Sequence, residues 1–406
     1  MNAIPTAVDL ARIADRCVRC GLCLPHCPTY RLARNEAESP RGRIALIQGR
    51  AEGHLEDSPV LGDHLAHCLE CLACERACPT LVPFGILMDG ARAASWAAKP
   101  PWRRNRDRAW LAFLASPTGA RLSAVLARLY RYSGLARLVA GSGALRWHPL
   151  AARHRLVLQL AGPPRINPPP GQTETTRGPI GLFLGCIARA AQPGAIAASV
   201  EVLRWLGYEV RLPPGQGCCG GMHRHHGLPQ DADRRLETNA RAFTGLTGVG
   251  IASACVAELR THPPLGETQE ICRFLADLDW PVIPPQPPQP LLRVAIHLPC
   301  SQRNRLRDEG AARDLLRRLP HLELVDLPDN AFCCGAAGTY LLEQPTLSRT
   351  LLQPKIDHLA QLGARVVVTT NTGCALHLAA GIQEAGLAVE VLHPVQLIAR
   401  YLNRRS

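Results

Sequence analysis

Residues 17–28 read CVRCGLCLPHCP, and residues 68–79 read CLECLACERACP. Both stretches follow one pattern, C-x2-C-x2-C-x3-C-P, and the second copy begins 51 residues after the first. Three cysteines at this spacing wrap around one inorganic cube, whereas the fourth points away and, in two-cluster ferredoxins, ligates the other cluster. The repeat therefore predicts a domain built around two [4Fe–4S] clusters.

The spacing divides the eight cysteines into two crossed ligand sets. One predicted set is Cys17, Cys20, Cys23 and Cys78. The other predicted set is Cys68, Cys71, Cys74 and Cys27. The alternative is structural zinc, which prefers paired C-x2-C units that close one four-ligand site. Two copies of the longer pattern favour iron–sulfur clusters over zinc.

The segment between the two copies predicts a helix. Residues 39–53 read SPRGRIALIQGRAEG, with Ser39 as the N-cap and with Ile44 and Ile47 at helical spacing. Helices therefore separate the motifs, and we expect residues 1–95 to form a helical ferredoxin-type domain. This organisation resembles the helical ferredoxin domain in the iron–sulfur subunits of succinate dehydrogenase-type enzymes.

Residues 96–178 are expected to form a helical connector with a proline-rich linker at 162–179. The stretch ARLSAVLARLYR (120–131) places arginines on one helix face and apolar residues on the other. The apolar residues are Leu122, Val125, Leu126 and Leu129. The simplest interpretation is a helix packed against its own protein; the alternative is docking to a partner subunit or a membrane surface.

A second repeat fills the rest of the chain, in residues 179–282 and 291–406, on either side of the break PVIPPQPPQP (281–290). Apolar strands alternate with helices in each half, which predicts two duplicated, Rossmann-like domains with parallel α/β layers. Cysteines fall where strands end, and open α/β sheets bind ligands there. The candidate metal ligands are Cys186, Cys218, Cys219 and Cys255 in the first half and Cys300, Cys333, Cys334 and Cys374 in the second.

Each half has the order C…CCG…C, and its glycine is expected to let the backbone approach a bulky inorganic core. The repeat resembles the cysteine-rich CCG repeats of heterodisulfide reductase, of glycerol-3-phosphate dehydrogenase and of the glycolate oxidase iron–sulfur subunit. In the first of these, neighbouring thiolates share the irons of unusual non-cubane clusters. The fullest pattern ends in C-x2-C, whereas Ala252 and Asn371 stand at the penultimate position here. Four thiolates per repeat suffice for one [4Fe–4S] cluster apiece; the alternative is a scaffold in which a site has lost its metal.

Over nearly its entire length the chain resembles the glycolate oxidase iron–sulfur subunit family. SPRGRI (39–44), CCGAAGTY (333–340) and TTNTGC (369–374) carry this resemblance together with the cysteine motifs. It implies two ferredoxin-type [4Fe–4S] clusters and one or two further iron–sulfur clusters in the CCG repeats. It also implies a subunit that passes electrons from flavin-containing glycolate oxidase subunits towards a quinone or another membrane acceptor, as glycolate becomes glyoxylate.

Related systems remain alternatives: an anaerobic glycerol-3-phosphate or D-lactate dehydrogenase, or a heterodisulfide-reductase-like protein. The sequence contains neither a G-x-G-x-x-G turn that opens a helix after a strand nor a G-x-S-x-G motif. We therefore expect no catalytic residue and no substrate-oxidising site on this chain. It is expected to belong to an oxidoreductase only as one subunit of a complex.

The chain has 406 residues and a net charge of +13, but its arginines are scattered and aromatic residues make up only 4%. This pattern argues against a nucleic-acid partner. A zinc protein that binds nucleic acid, which is what the zinc alternative would suggest, is therefore not favoured. No run of about twenty apolar residues predicts a transmembrane segment, and no signal peptide is evident. We expect a cytoplasmic protein, with a peripheral position on the inner face of the cell membrane as an option.

Cys272 is expected to be a core thiol. His223, His225 and His226 are expected to form a surface run, with proton transfer or ligation as the alternative.

Overall fold

The computed structural model describes residues 5–143, 145, 148–160, 177–281 and 290–403. The two proline-rich segments expected to be linkers, 162–179 and 281–290, lie almost entirely outside the described residues. What is described forms a helical N-terminal part and two α/β units with parallel sheets. The predicted fold class is confirmed.

The N-terminal part is helical, and its short helices leave loops for the cysteine motifs. These helices are α1 (Ala7–Ala14), α2 (Pro28–Ala33), α3 (Pro40–Ala51), α4 (Pro59–Ala66), α5 (Ala73–Arg76) and α6 (Phe84–Ala97). Ser39 caps α3 as expected, since its hydroxyl accepts from the Gly42 amide at 2.9 Å. Ile44 and Ile47 are buried against Leu87 of α6, so the apolar face of α3 forms the core between the motifs.

Four helices form the connector: α7 (Pro101–Ala115), α8 (Pro117–Tyr132), α9 (Leu135–Gly141) and α10 (His148–Leu158). The face that α8 buries is not the predicted one. Its buried residues are small, namely Gly119, Ala120, Ala124 and Ala127, while the stripe from Leu122 to Leu129 is exposed. The expectation that this stripe packs against its own protein is therefore wrong, because small side chains give α8 a closer approach to its neighbours.

The first α/β unit has a four-stranded parallel sheet in the order β2-β1-β3-β4. Its strands are β1 (Arg177–Phe183), β2 (Tyr208–Arg211), β3 (Thr247–Gly250) and β4 (Gln269–Glu270). Its helices are α11 (Ile187–Ala191), α12 (Pro193–Trp205), α13 (Gly221–His225), α14 (Pro229–Ala242), α15 (Ser253–Leu259) and α16 (Ile271–Ala276). Central strand β1 carries Ile180 and Leu182, which are almost fully buried.

The second unit repeats this topology with the parallel order β6-β5-β7-β8. Its strands are β5 (Leu292–Ile296), β6 (Leu322–Asp326), β7 (Val366–Val368) and β8 (Glu390–Leu392). Its helices are α17 (Ala311–Leu316), α18 (Tyr340–Glu343), α19 (Pro345–Leu362), α20 (Thr372–Glu384) and α21 (Pro394–Asn403). A single π-helical turn, Ser301–Arg305, follows Cys300.

The two units share one hydrophobic core, in which Leu203 of α12 and Ile398 of α21 are fully buried. Hydrogen bonds also cross between strand ends of the two units. The Ser253 amide donates to the carbonyl of Thr370 at 2.8 Å, and His393 lies 3.0 Å from the carbonyl of Ile251. The carboxyl ends of the two sheets, where the cysteines lie, are thereby held next to each other.

Candidate metal centres

Two neighbouring cavities in the helical domain are each lined by four predicted ligands. The first measures about 320 Å³, and its cysteines are Cys27, Cys68, Cys71 and Cys74. The second measures about 420 Å³, and its cysteines are Cys17, Cys20, Cys23 and Cys78, together with Cys74. The structure thus brings together both crossed sets, and Cys74 stands between the two cavities.

The same backbone conformation bends each motif around its cavity. Arg19 and Gly21 in the first motif have φ of +55° and +82°, and the equivalent Glu70 and Leu72 have +49° and +57°. This left-handed region is costly for residues other than glycine, by on the order of 1–3 kcal/mol each. Three of the four positions accept that cost, which is typical of loops shaped by a ligand rather than by packing alone.

The chemistry of the first cavity fits a metal cluster. Burial raises the pKa of Cys71 and of Cys74 well above the ordinary thiol value, and neighbouring thiols raise it further. In the second cavity burial raises the pKa of Cys23 to about 11. Several thiolates can share such confined space only when a bound cation compensates their charge. Soft sulfur ligands in this number suit iron–sulfur clusters.

SPRGRI forms the corner between the two cavities, and Pro40 lines both of them. Position 42 accepts only glycine, because a Cβ atom there would lie 1.9 Å from the carbonyl oxygen of Glu36. Arg41 lines the second cavity and forms an exposed ion pair with Glu36 at 2.6 Å. Arg43 faces the first cavity. The motif therefore fixes one turn between the two cluster sites.

Arg43 is almost fully buried, and four hydrogen bonds hold its guanidinium group. It donates to the carboxylate and carbonyl of Glu38, to Thr29 and to the carbonyl of His64, at 2.5 to 3.0 Å. Glu38 also bonds the Nδ1 atoms of His64 and His67 at 2.7 and 2.8 Å. Burial favours the neutral acid, but the bonds from His67 and His64 and the charge of Arg43 lower the pKa of Glu38 below its ordinary value. The group joins three segments that support the first cavity.

The cysteines of each α/β unit also come together, at the carboxyl end of its sheet. In the first unit the sulfur atoms of Cys186 and Cys218 are 3.6 Å apart, and Cys219 is hydrogen-bonded to Cys255. In the second unit the corresponding distances are 3.8 Å for Cys300 and Cys333 and 3.3 Å for Cys334 and Cys374. Each unit thus gathers four thiols, contributed by three separate strand ends.

The glycine of each CCG lies where a helix approaches the backbone closely. Gly220 and Gly335 have φ of +99° and +88°. A Cβ atom on them would lie 2.9 Å from the carbonyl oxygen of Ala232 and 2.6 Å from that of Ser348. The glycines therefore let a helix pack closely, and their amides donate to the sulfur of the first cysteine of each pair, Cys218 and Cys333, at 3.4 Å. Such amide bonds tune the potential of a sulfur-ligated cluster.

The residues that replace the missing fifth cysteines do other work. Asn371 caps α20 by accepting from the Gly373 amide at 3.0 Å and donates to the hydroxyl of Ser301 at the same distance. Ala252 is buried at the start of α15. Both positions are thus committed to packing at the interface of the two units.

His297 is a candidate that the cysteine spacing alone misses. One of its ring nitrogens lies within 4.8 Å of the Cys334 and Cys374 sulfur atoms, and its Nδ1 bonds the Thr369 hydroxyl at 2.9 Å. Burial and the charge of Lys355 hold its pKa well below the ordinary value, so the ring is neutral. Aligning HLPC (297–300) with FLGC (183–186) would have revealed it, because only the second repeat has a ligand-type residue there.

Cys272 and the histidine run are both in or near the interior of the protein. Cys272 is fully buried in the shared core, as expected. The histidine run is not a surface feature: His223 is buried, and His226 bonds Glu343 of the other unit at 2.6 Å. His225 lies 3.3 Å from Glu70 of the second cysteine motif. The run therefore ties α13 to neighbouring domains.

The second α/β unit adjoins the first cavity. Asn304 donates to the carbonyl of Cys71 at 2.7 Å, and Cys71, Cys300 and Cys333 belong to one buried cluster with Leu69. The first unit has a different neighbour, because Cys186 and Cys218 pack against Ala115 at the end of α7. Among the residues that the structure describes, none of the helices combines the length and apolar character needed to cross a bilayer.

Comparisons with known proteins agree with this arrangement. A 4Fe-4S dicluster domain model matches residues 13–82, and a cysteine-rich domain model, named CCG, matches residues 180–257 and 294–379. Both descriptions indicate iron–sulfur clusters.

Relatives match over nearly the whole chain or over about half of it. The probable glycolate oxidase iron-sulfur subunit of Bacillus subtilis is 29% identical over 94% of this chain and 92% of its own length. The glycolate oxidase iron-sulfur subunit of Escherichia coli is 28% identical over 98% and 96%. Lactate utilization protein A of Geobacillus thermodenitrificans is 27% identical over 56% of this chain and 99% of its own length. The dicluster domain, the duplicated CCG domains and the two full-length matches together make this chain similar to glycolate oxidase iron–sulfur subunits over nearly its whole length.

Proposed function

We propose that this chain is the electron-transfer subunit of a flavin-dependent 2-hydroxy acid dehydrogenase complex that oxidises glycolate to glyoxylate. The observation that carries the proposal is the grouping of sixteen of its seventeen cysteines into four sets, two of which adjoin through Cys71 and Cys300. When bound at such sites, iron–sulfur clusters accept and release single electrons, whereas a flavin gives up two. The chain's own contribution is to hold these sites in a row and shield them from water.

The order of the row follows from shared walls. Cys74 stands between the two ferredoxin-type cavities, and Cys71 lies beside the second CCG site. Ser301 then bridges the two CCG sites, since its hydroxyl lies 2.8 Å from that of Ser253 and accepts from Asn371. We infer the sequence first motif, second motif, second CCG site, first CCG site.

One end of this row has an exposed cysteine, whereas the other sites have none. Cys20 is exposed at one end, where a partner can approach within contact of the site. The cysteines of the interior sites, such as Cys74, Cys333 and Cys334, are buried. We assign the flavin-containing glycolate oxidase subunits to the donor role and a quinone or another membrane acceptor to the opposite role. The corresponding location is cytoplasmic, at the inner face of the membrane.

A second candidate substrate is lactate, because the relatives named lactate utilization protein A match about half of this chain over nearly their whole length. A fumarate reductase (CoM/CoB) relative from Methanothermobacter marburgensis, 31% identical over 56% of this chain, supports a redox role without favouring either acid. These relatives therefore do not separate glycolate from lactate as the substrate.

The test is anaerobic co-purification of the full chain with its flavoprotein partners. We expect about eight irons, with matching acid-labile sulfide, from the two ferredoxin-type sites and up to about sixteen if both CCG sites are filled. Glycolate should then reduce the iron–sulfur signals, and D-lactate and glycerol 3-phosphate serve as competing substrates. Normal electron delivery to a quinone after deletion of this chain alone would refute the proposal, as would a native chain without iron.

A further inference from the structure

The connector has an apolar face that nothing in the described chain covers. Seven large side chains on α8 and α9 form this face, each 47 to 79% exposed. They are Leu122, Val125, Leu126, Leu129, Tyr132, Leu135 and Leu138. On α8 they recur at helical spacing, opposite the buried alanine stripe. A contiguous exposed stripe of this kind marks an interaction surface, whereas single exposed leucines do not.

The same segment carries most of the protein's net positive charge. Residues 96–158 contain twelve Lys and Arg and a single acidic residue, Asp107, so they supply +11 of the net +13. Between Asp107 and Glu174 the sequence has no acidic residue. The four arginines of α8 and α9 are exposed, and none of the ion pairs within the described ranges includes them. They are Arg121, Arg128, Arg131 and Arg137.

Aromatic residues complete the surface. Trp102 and Phe113 of the adjoining helix α7 are 59% and 42% exposed, and Arg128 stacks over the ring of Tyr132 at 5.8 Å. Tryptophan, tyrosine and arginine beside a leucine stripe are typical of helices that lie in the interface of a bilayer. A nucleic acid does not explain the aliphatic stripe, because phosphates and base edges provide no apolar layer in which these leucines could be buried.

We propose that the α8–α9 face docks the protein on an anionic membrane surface, with its apolar stripe in the lipid headgroup region and its arginines on the lipid phosphates. The opposite face of α8 packs Ala120 and Ala124 against Ala190 of α11, and α11 directly follows Cys186. A single helix, about 10 Å across, thus separates the first CCG site from the proposed membrane surface. The inference rests on the proposed function only where this short distance is taken to serve electron transfer to a membrane acceptor.

The experiment is vesicle flotation of the purified full chain. Phosphatidylglycerol vesicles are expected to carry the protein, phosphatidylcholine vesicles to carry much less, and added salt to weaken the binding. Leu126→Gln/Leu129→Gln should lower partitioning by roughly a hundredfold, at about tenfold per leucine withdrawn from the interface. Val8→Gln/Val60→Gln, which also replaces two exposed helical residues, is the matched control and should leave binding unchanged.

Three results would overturn the proposal: no flotation with either vesicle, flotation insensitive to the leucine pair, or equal loss in the control. Flotation by the isolated chain that disappears once the flavoproteins are bound would also overturn it and assign the face to a partner subunit. Partitioning does not depend on substrate oxidation. A chain that floats but transfers no electrons therefore refutes only the proposed function, and one that transfers electrons without floating refutes only the docking surface.

Discussion

Replacing Arg43 by glutamine is expected to destabilise the ferredoxin-type domain strongly, whereas Arg41→Gln is not. The two arginines belong to one motif, and each pairs with a glutamate five positions earlier, Glu38 and Glu36 respectively. Their burial differs. The side chains of Arg43 and Glu38 are 1% and 9% exposed, and those of Arg41 and Glu36 are 32% and 49% exposed. The comparison therefore changes burial while sequence spacing and chemistry stay the same.

The magnitude follows from what Arg43→Gln leaves behind. It removes all four guanidinium hydrogen bonds and leaves the Glu38 carboxylate buried. Breaking one side of a buried ion pair costs about 3–5 kcal/mol. Exposed pairs contribute far less, because solvent and salt screen them. The double variant Arg43→Gln/Glu38→Gln should recover part of the loss, since no unpaired charge remains.

The assay is the rate at which the visible absorbance of the bound clusters disappears in urea without oxygen. A rate is the proper measure, because cluster release makes unfolding irreversible. If the Arg43 contacts break before the unfolding barrier is crossed, about 3–5 kcal/mol accelerates the loss by about two to four orders of magnitude. Equal rates for Arg43→Gln and Arg41→Gln would refute the reasoning, as would a double variant less stable than Arg43→Gln.

Three further predictions test the sites themselves. Crossed ligation predicts that Cys27→Ser/Cys71→Ser removes no more iron than either change alone, whereas Cys27→Ser/Cys20→Ser removes the iron of both clusters; iron analysis distinguishes the two. Gly42→Ala should lower the melting temperature and iron content, because its Cβ would collide with a carbonyl oxygen. His297→Phe should lower iron retention at the second CCG site or shift its paramagnetic signal, because it removes a nitrogen donor beside two thiols.

Each of these predictions has a matched control. Gly62 also lies within a helix, but a Cβ there meets no atom within 4 Å, so Gly62→Ala should be neutral or slightly stabilising. The first repeat already carries Phe183 where the second carries His297, so the phenylalanine has a precedent in this fold. Additive iron loss in Cys27→Ser/Cys71→Ser, an unaffected Gly42→Ala or an unchanged His297→Phe spectrum would each contradict its prediction.

Hydrophobic periodicity and cysteine spacing predict much of the architecture, because both depend on the conformation and burial of neighbouring residues in the sequence. The C-x2-C-x2-C stretches bend through the same left-handed positions in both copies, Gly21 and Leu72 among them. The strands ending near Cys186 and Cys300 are central in their sheets and buried. Short edge strands such as β4 and β8 were not predicted, since pairing with a central strand rather than their own composition creates them.

Long-range packing explains the rest. Periodicity identifies the apolar face of α8 but not what covers it, and alanines on another face take the packing. The run at His223 to His226 reads as polar surface, yet Glu70 and Glu343 come from distant parts of the chain to meet it. A glycine after a cysteine pair indicates that another group lies close to the backbone. The local sequence does not indicate that this group is a helix from elsewhere in the chain.

The duplication also shows why two equivalent sites need not be redundant. Both CCG sites have the same four-cysteine arrangement and the same amide bond to sulfur, from Gly220 in one unit and from Gly335 in the other. Their surroundings differ, because one adjoins Cys71 and the other packs on α7 at Ala115. A repeat that kept its ligand geometry while each copy acquired a different neighbour yields an inner and an outer site. In the proposed row of sites, this divergence of the surroundings, with His297 on one side only, would supply a direction.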